Sequence, residues 1–325
     1  MTRHSAPVSR RRRGFTMIEL LIVVSLLGII GTMLTTILVR QQRFHRAVTN
    51  VTDSRARMRD ISTIMPTDLR SISTAGKDLL AISDTSMQFR AFVGASVLCR
   101  YNGANVIQLP PKSLTNGSVL TAWINPPAPN DIVYLYDDGT QDGNVDDSWQ
   151  PFSITDTASS SDATWCPATN VPAYTTAADN GARRYQLTLS AAPNAAQVSV
   201  GAPMRFAREV RYSIYNASDG QWYVGYQRCT PSATYGDPGT CGDREVLAGP
   251  VLAGTADTLT SGLYFVYYNK AGQRLTALSA ADTISRIGIG IRTSAESLLK
   301  AGQQSGGSVA GTDSLRFMVG FRNRI

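Results

Sequence analysis

Residues 10–39 read RRRRGFTMIELLIVVSLLGIIGTMLTTILV. Leu20 to Val39 is a run of 20 residues without a charged side chain. At about 1.5 Å per helical residue such a run spans the roughly 30 Å of bilayer hydrocarbon. Arg40 closes it and Arg10 to Arg13 precede it. The positive-inside rule then places residues 1–14 in the cytoplasm and the chain beyond Arg40 outside. A secretory signal peptide also pairs a basic start with an apolar stretch, but it ends in a small-x-small cleavage site. Arg40-Gln41-Gln42-Arg43-Phe44 offers none.

Glu19 sits at the edge of this apolar run. An ionisable side chain in a membrane segment is costly and marks function. A capping box is the plain alternative, because Thr16 is followed three residues later by Glu19, a pattern that satisfies free N–H groups at a helix start. Capping does not account for Gly14-Phe15 directly behind four arginines.

Taken together, Arg13-Gly14-Phe15-Thr16-Met17-Ile18-Glu19-Leu20-Leu21 resembles the prepilin cleavage and methylation motif of type IV pilins and type II secretion pseudopilins. The resemblance implies that a prepilin peptidase cuts between Gly14 and Phe15, that the new amino group of Phe15 is N-methylated, and that Glu19 is the acid at the fifth mature position. A carboxylate in hydrocarbon needs a cation to meet it. The Phe15 ammonium is such a cation: from a neighbouring subunit, this salt bridge would fix the stagger between subunits, whereas an intramolecular pairing would merely neutralise the charge. Gly28 and Gly31 permit close helix packing.

Beyond the span, Phe44, Val48, Val51, Met58 and Met65 follow a 4-3 repeat, widened by Ile61 and Ile64. This predicts an amphipathic stalk helix over 40–75, kinked or restarted at Pro66, carried on by Leu69 and Ile72 and ended by Gly76. Arg55 and Ser62 on the seam favour docking on the protein's own sheet over a coiled coil.

From about residue 86 the apolar period becomes 2. Met87, Phe89 and Ala91 alternate with polar residues, as do Ile132, Tyr134 and Tyr136. Val210, Tyr212 and Ile214 face Trp222, Val224 and Tyr226 across the turn 216–220, which predicts a hairpin. Leu263-Phe265-Tyr267, Ile287-Ile289-Ile291 and Leu315-Phe317-Val319-Phe321 complete a set of about ten strands. The expected fold class is α+β, with a long N-terminal transmembrane and amphipathic helix, pilin-like, packed on an antiparallel β-sheet head. The expected divisions are a 1–14 leader, a 15–39 membrane and polymerisation helix, a 40–75 stalk and a 76–325 head. Asp68-Leu69-Arg70, Glu209-Val210-Arg211-Tyr212, Tyr267-Tyr268-Asn269 and Phe321-Arg322-Asn323 resemble, in that order, segments of PilW-type minor pilins and J-type pseudopilins.

Charge and composition exclude much else. The net +7 falls to +2 without residues 1–14, which carry five arginines, and residues 76–325 hold 19 basic against 20 acidic side chains. The head therefore lacks the basic stripe of a strong nucleic-acid binder. Only His4 and His45 occur, so the head has no His general base, Ser-His-Asp triad or His-ligated metal. No enzyme activity is expected. Cys99, Cys166, Cys229 and Cys241 are an even set outside the membrane, which favours disulfides. Cys229 and Cys241 bracket a Pro/Gly-rich loop and leave Cys99 with Cys166; zinc finds neither C-x-x-C nor a nearby His. Asp142, Asn144 and Asp146 open like a calcium loop, but Asp147 and Ser153 stand where Gly and Glu are needed. Calcium is thus the one cofactor considered, against a solvated acidic loop. The Gly/Ser-rich 303–311 has no phosphate-loop Lys and reads as a connector.

The function expected is that of a minor pilin or pseudopilin subunit acting in initiation or at the tip of a type IV pilus, with a type II secretion pseudopilin as alternative. A ligand-binding tip adhesin or DNA-uptake pilin is the alternative of another class. The partners implied are other pilin or pseudopilin subunits, the prepilin peptidase, an inner-membrane assembly platform and the lipid bilayer. The location implied is the inner membrane, single-pass, with the head in the periplasm before incorporation. N-terminal mass spectrometry of the protein from its native membrane should find a chain beginning at N-methylated Phe15; an intact Met1 or a start beyond Val39 would sink the resemblance.

Overall fold

The computed structural model describes residues 16–74, 76–139, 146–169, 173–194, 198–275, 284–296 and 310–321. They divide into two units, 1–53 with 295–311 and 54–294 with 312–325. The first element is a single helix, α1 (Met17–Arg70). It runs through Pro66 without restarting, so the lost N–H bond is absorbed within the last turns of the helix. It stops at Arg70, ahead of Gly76. Ile72 N–H turns back to the Leu69 carbonyl at 3.3 Å, and in the turn that follows the Asp78 carboxylate accepts the Ser73 N–H at 2.9 Å.

Within the second unit α1 buries one stripe. Met58, Ile61, Met65 and Leu69 are at 5 % exposure or less, and Ile72 in the following turn is fully buried. Ile64 does not widen this stripe and is 42 % exposed. Although three residues from Ile61, it sits about 100° of helix rotation from Met65, at the edge of the buried face. Phe44 in the first unit is likewise exposed, so burial along the 4-3 repeat is concentrated after Met58.

The strands are β1 (Leu79–Ile82), β2 (Ser86–Val97), β3 (Arg100–Tyr101), β4 (Val106–Leu109), β5 (Ala122–Trp123), β6 (Ile132–Asp137), β7 (Ser148–Ser160), β8 (Arg184–Leu189), β9 (Pro203–Asn216), β10 (Trp222–Thr230), β11 (Thr240–Val251), β12 (Leu263–Asn269), β13 (Ile284–Glu296) and β14 (Ala310–Gly320). One sheet of eleven strands follows the order β1-β2-β9-β6-β7-β8-β4-β3, with β10, β11 and β5 off that path; β12-β13-β14 form a second. The architecture is α+β, consistent with a pilin fold. The expected hairpin β9-β10 is present, with Tyr212 opposite Tyr226 and Ile214 opposite Val224, while Val210 falls opposite Arg228 and Trp222 opposite Asn216. Gly220 in its turn has φ 77°, a left-handed conformation that glycine adopts without strain.

The helix stripe packs with Phe89, Val210, Tyr212 and Val224 of the large sheet and with Phe265, Ile287, Ile289 and Ile291 of the small one. A second core, absent from the sequence expectations, gathers Ile107, Leu109, Val133, Leu135, Ile154, Leu187 and Phe206. A register shift between Phe92 and Gly94 in β2 lets one long strand serve both, with Phe89 and Ala91 in the helix core and Val93 in the second.

Truncating a fully buried helix residue leaves a cavity, whereas trimming an exposed one does not. Leu69→Ala should lower stability by about 2–5 kcal/mol and Ile64→Ala by about 0.5 kcal/mol or less, read from denaturant unfolding of the detergent-solubilised protein. Equal losses would contradict this packing.

Candidate assembly site

Thr16 and Glu19 open α1 with a reciprocal pair. Glu19 N–H donates to Thr16 Oγ1 at 3.3 Å, and Thr16 N–H donates to Glu19 Oε2 at 3.5 Å. Both contacts are long, and together they form the capping box that the spacing permits. Gly14 and Phe15, the residues expected to flank the cleavage, lie outside the described residues.

After Glu19 the helix is apolar and uncovered. Leu21 is 64 % exposed, Leu27 62 % and Leu38 56 %. The hydroxyls on this stretch all turn inward on the helix: Ser25 donates to the Leu21 carbonyl, Thr32 to Ile29, Thr35 to Gly31 and Thr36 to Thr32, at 2.7–2.8 Å. Each polar side chain is thereby satisfied without water, which is what hydrocarbon demands. A Cβ added at Gly28 or Gly31 would meet nothing within 4 Å, so both leave the helix surface open to a close neighbour. The arrangement suits a lipid or helix-packed environment and leaves Glu19 as its charged group.

At the other end of α1 the helix is fastened to the sheet by a buried polar contact. Tyr212 O–H on β9 donates to Asp68 Oδ2 at 2.6 Å. Tyr212 is fully buried between Phe89 and Tyr226, with ring centroids 5.6 and 5.7 Å away. Burial pushes the Asp68 carboxyl above its ordinary range, and the tyrosine hydroxyl holds it partly back. Asp78, which receives the Ser73 N–H, is also raised by burial, against that hydrogen bond and against Arg205 and Arg90. Sequence patterning drew attention to Asp68-Leu69-Arg70 and to Glu209-Val210-Arg211-Tyr212 separately; the geometry joins them.

A further cluster carried no sequence signal. Asp131, fully buried at the start of β6, receives Arg208 of β9 at 2.8 Å and Arg228 of β10 at 2.9 Å. Cys99 is bonded to Cys166, and Cys229 to Cys241, which face each other in the β10-β11 register. Of the calcium triplet only Asp146 is described; Asp142 and Asn144 lie outside the described residues. Among the described residues no three His, Cys, Asp or Glu side chains are grouped to hold a metal ion.

Residues 9–35 match the family described as the prokaryotic N-terminal methylation motif. That motif, on an exposed apolar helix, supports a type IV pilin-like prepilin, in the class of type IV pilins and pseudopilins. The class is one of structural subunits. It implies assembly with other pilin subunits and processing by a prepilin peptidase, and with the apolar helix it points to membrane anchoring. No curated protein and no solved structure matches the chain.

The raised carboxyl of Asp68 sets a pH signature. Its folded form holds the proton more tightly than the unfolded form, so its stabilisation is complete below the ordinary carboxylate range and is lost as pH rises through the folded value. Asp68→Asn keeps an acceptor for Tyr212 and has no charge to bury. Its stability relative to wild type should improve steadily between pH 3 and pH 7 in denaturant titrations; a difference that does not change with pH would refute the assignment.

Proposed function

We propose that the chain is a minor pilin or pseudopilin, inserted as a prepilin, cut after Gly14, methylated at Phe15 and built into the initiating or tip complex of a type IV pilus. The observation that carries this is the methylation-motif match at 9–35 on a helix whose apolar side chains are uncovered and internally satisfied. In this scheme residues 1–14 are the leader, 15–39 the membrane and polymerisation segment, 40–75 the stalk and 76–325 a periplasmic head. The inner-membrane platform extracts the subunit from the bilayer. A type II secretion minor pseudopilin is the same device in another machine. The size of the head and its second core favour a low-copy position over a repeating one.

Glu19 carries the assembly step. In the isolated chain its carboxylate caps the helix; in the filament it meets the Phe15 ammonium of a neighbour. Glu19→Gln preserves the capping side chain and removes the charge, whereas Glu19→Ala removes both. If charge pairing drives assembly, both variants are inserted and cleaved but neither is incorporated, because an unpaired buried ammonium costs several kcal/mol, roughly 3–5. If capping is all that Glu19 does, the Gln variant is incorporated like wild type and the Ala variant loses about 1 kcal/mol of helix stability. The measurement is filament incorporation of each variant in a strain lacking the native copy.

A further inference from the structure

The outer face of the small sheet carries a groove of about 450 Å³. Its inner face is filled by Phe265, Ile287 and Ile291 against the helix core, and Ile289 and Phe317 of that packing also border the groove. Tyr264, Val266 and Tyr268 of β12 form one wall, Arg316 and Met318 of β14 the other, and Leu259 and Arg274 lie at the rim. The floor is Gly288 of the central strand, paired with Val266; its neighbour Gly290 lies directly under the Tyr264 ring. Leu259 is 73 % exposed and Met318 54 %. Among the described residues no carboxylate lines the groove, and Arg274 and Arg316 form no ion pair.

Two guanidinium groups beside apolar and aromatic walls are complementary to a carboxylate that has an apolar neighbour. Arginine forks a carboxylate with two parallel hydrogen bonds. Arg316 is already aligned over Tyr264, 5.9 Å from the ring centroid, and Arg286 over Tyr268 at 5.8 Å, so the rings hold cations at the groove. The volume is that of an ordinary ligand site. A saccharide asks for amide and carboxylate partners to its hydroxyls, and the walls offer Val266, Met318 and Leu259 instead. A nucleic acid asks for cations along an extended track, and here they converge on one groove.

We infer that the outer face of β12-β13-β14 binds an acidic peptide segment of another protein, with one Asp or Glu carboxylate on Arg316, a second on Arg274, and an adjoining apolar side chain between Tyr264, Val266 and Met318. The site does not depend on the mode of filament assembly. Gly288 provides a clean block. A Cβ built there sits 3.5 Å from the nearest atom, an ordinary contact, and its φ is not left-handed, so Gly288→Ile suits the strand and fills the floor.

The test uses the full chain in detergent and the blocked peptide acetyl-Asp-Leu-Asp-Leu-amide at near-physiological salt, with binding followed by thermophoresis. Saturable binding is expected. It should weaken roughly tenfold or more in Arg316→Ala, as a charge-assisted pair is lost, and equally in Gly288→Ile with unchanged thermal stability. Arg244→Ala, on β11, should bind like wild type. The Asn-Leu analogue should bind weakly for want of the charge, and an all-Asp peptide for want of the apolar side chain. Absence of saturable binding, full affinity in Gly288→Ile, or a uronate oligosaccharide binding more tightly than the peptide would each overturn the proposal.

Discussion

The hydroxyl of Tyr212 on the carboxylate of Asp68 is the polar centre of an otherwise apolar junction, and much of the second unit is organised around it. Met58, Ile61, Met65 and Leu69 place one face of α1 between the large sheet and the small one. Each fully buried aliphatic side chain is worth about 1.5–3 kcal/mol, so this stripe is a major source of cohesion. Apolar burial alone does not fix where a helix sits along its axis, because sliding by a turn replaces one methyl contact with another. A hydrogen bond of 2.6 Å between a helix residue and a central strand does fix it. Burial of the carboxyl is the cost of that specificity, visible in its raised affinity for a proton.

The same logic recurs at Asp131, whose carboxylate receives arginines from two different strands. Removing it would strand two cations, whereas replacing all three with apolar groups would not. Such a group ties together β6, β9 and β10, which meet from far apart in the chain. Strand pairing already sets their order; the ion triad penalises a slipped register, because slippage carries Arg208 to the opposite face of β9.

How much of this the sequence discloses depends on whether the relevant physics is local. The β9-β10 hairpin is local: alternation, the turn at 216–220 and Gly220 specify it, and the observed register sets Tyr212 and Ile214 opposite Tyr226 and Val224. Ile287, Ile289 and Ile291 likewise announce a strand buried on one face. The second core is not local. β7 (SWQPFSITDTASS) contributes Ile154 as its one fully buried residue, and its remaining side chains give no alternation strong enough to mark a strand. It exists because β6 and β8 pair with it on either side. The stop at Arg70 was illegible for the same reason, since the turn that follows it is held by Asp78, on Ser73 N–H, and Gly76 lies beyond the helix end. Asp68 and Tyr212 were each singled out, but nothing in a linear pattern says that positions 144 apart touch. At the N-terminus the position is reversed: the resemblance to the prepilin motif singles out Gly14, Phe15 and Glu19, and geometry adds only that Thr16 and Glu19 reach one another.

That one addition bears on how Glu19 works. Capping and intersubunit pairing are usually set against each other, yet a carboxylate has two oxygens and about four lone-pair sites. Oε2 takes the Thr16 N–H, and Oε1 is given no role by the capping box. Water satisfies it where the helix end is exposed; in lipid that option disappears, and a second donor is needed to offset the desolvation of the charge. Under the proposed assembly, capping orients the side chain at the helix start before any neighbour arrives, and leaves the negative charge to be neutralised by one that does. In the proposed scheme the two roles act in sequence on one residue, and a neutral side chain of the same shape, able to perform the first but not the second, separates them.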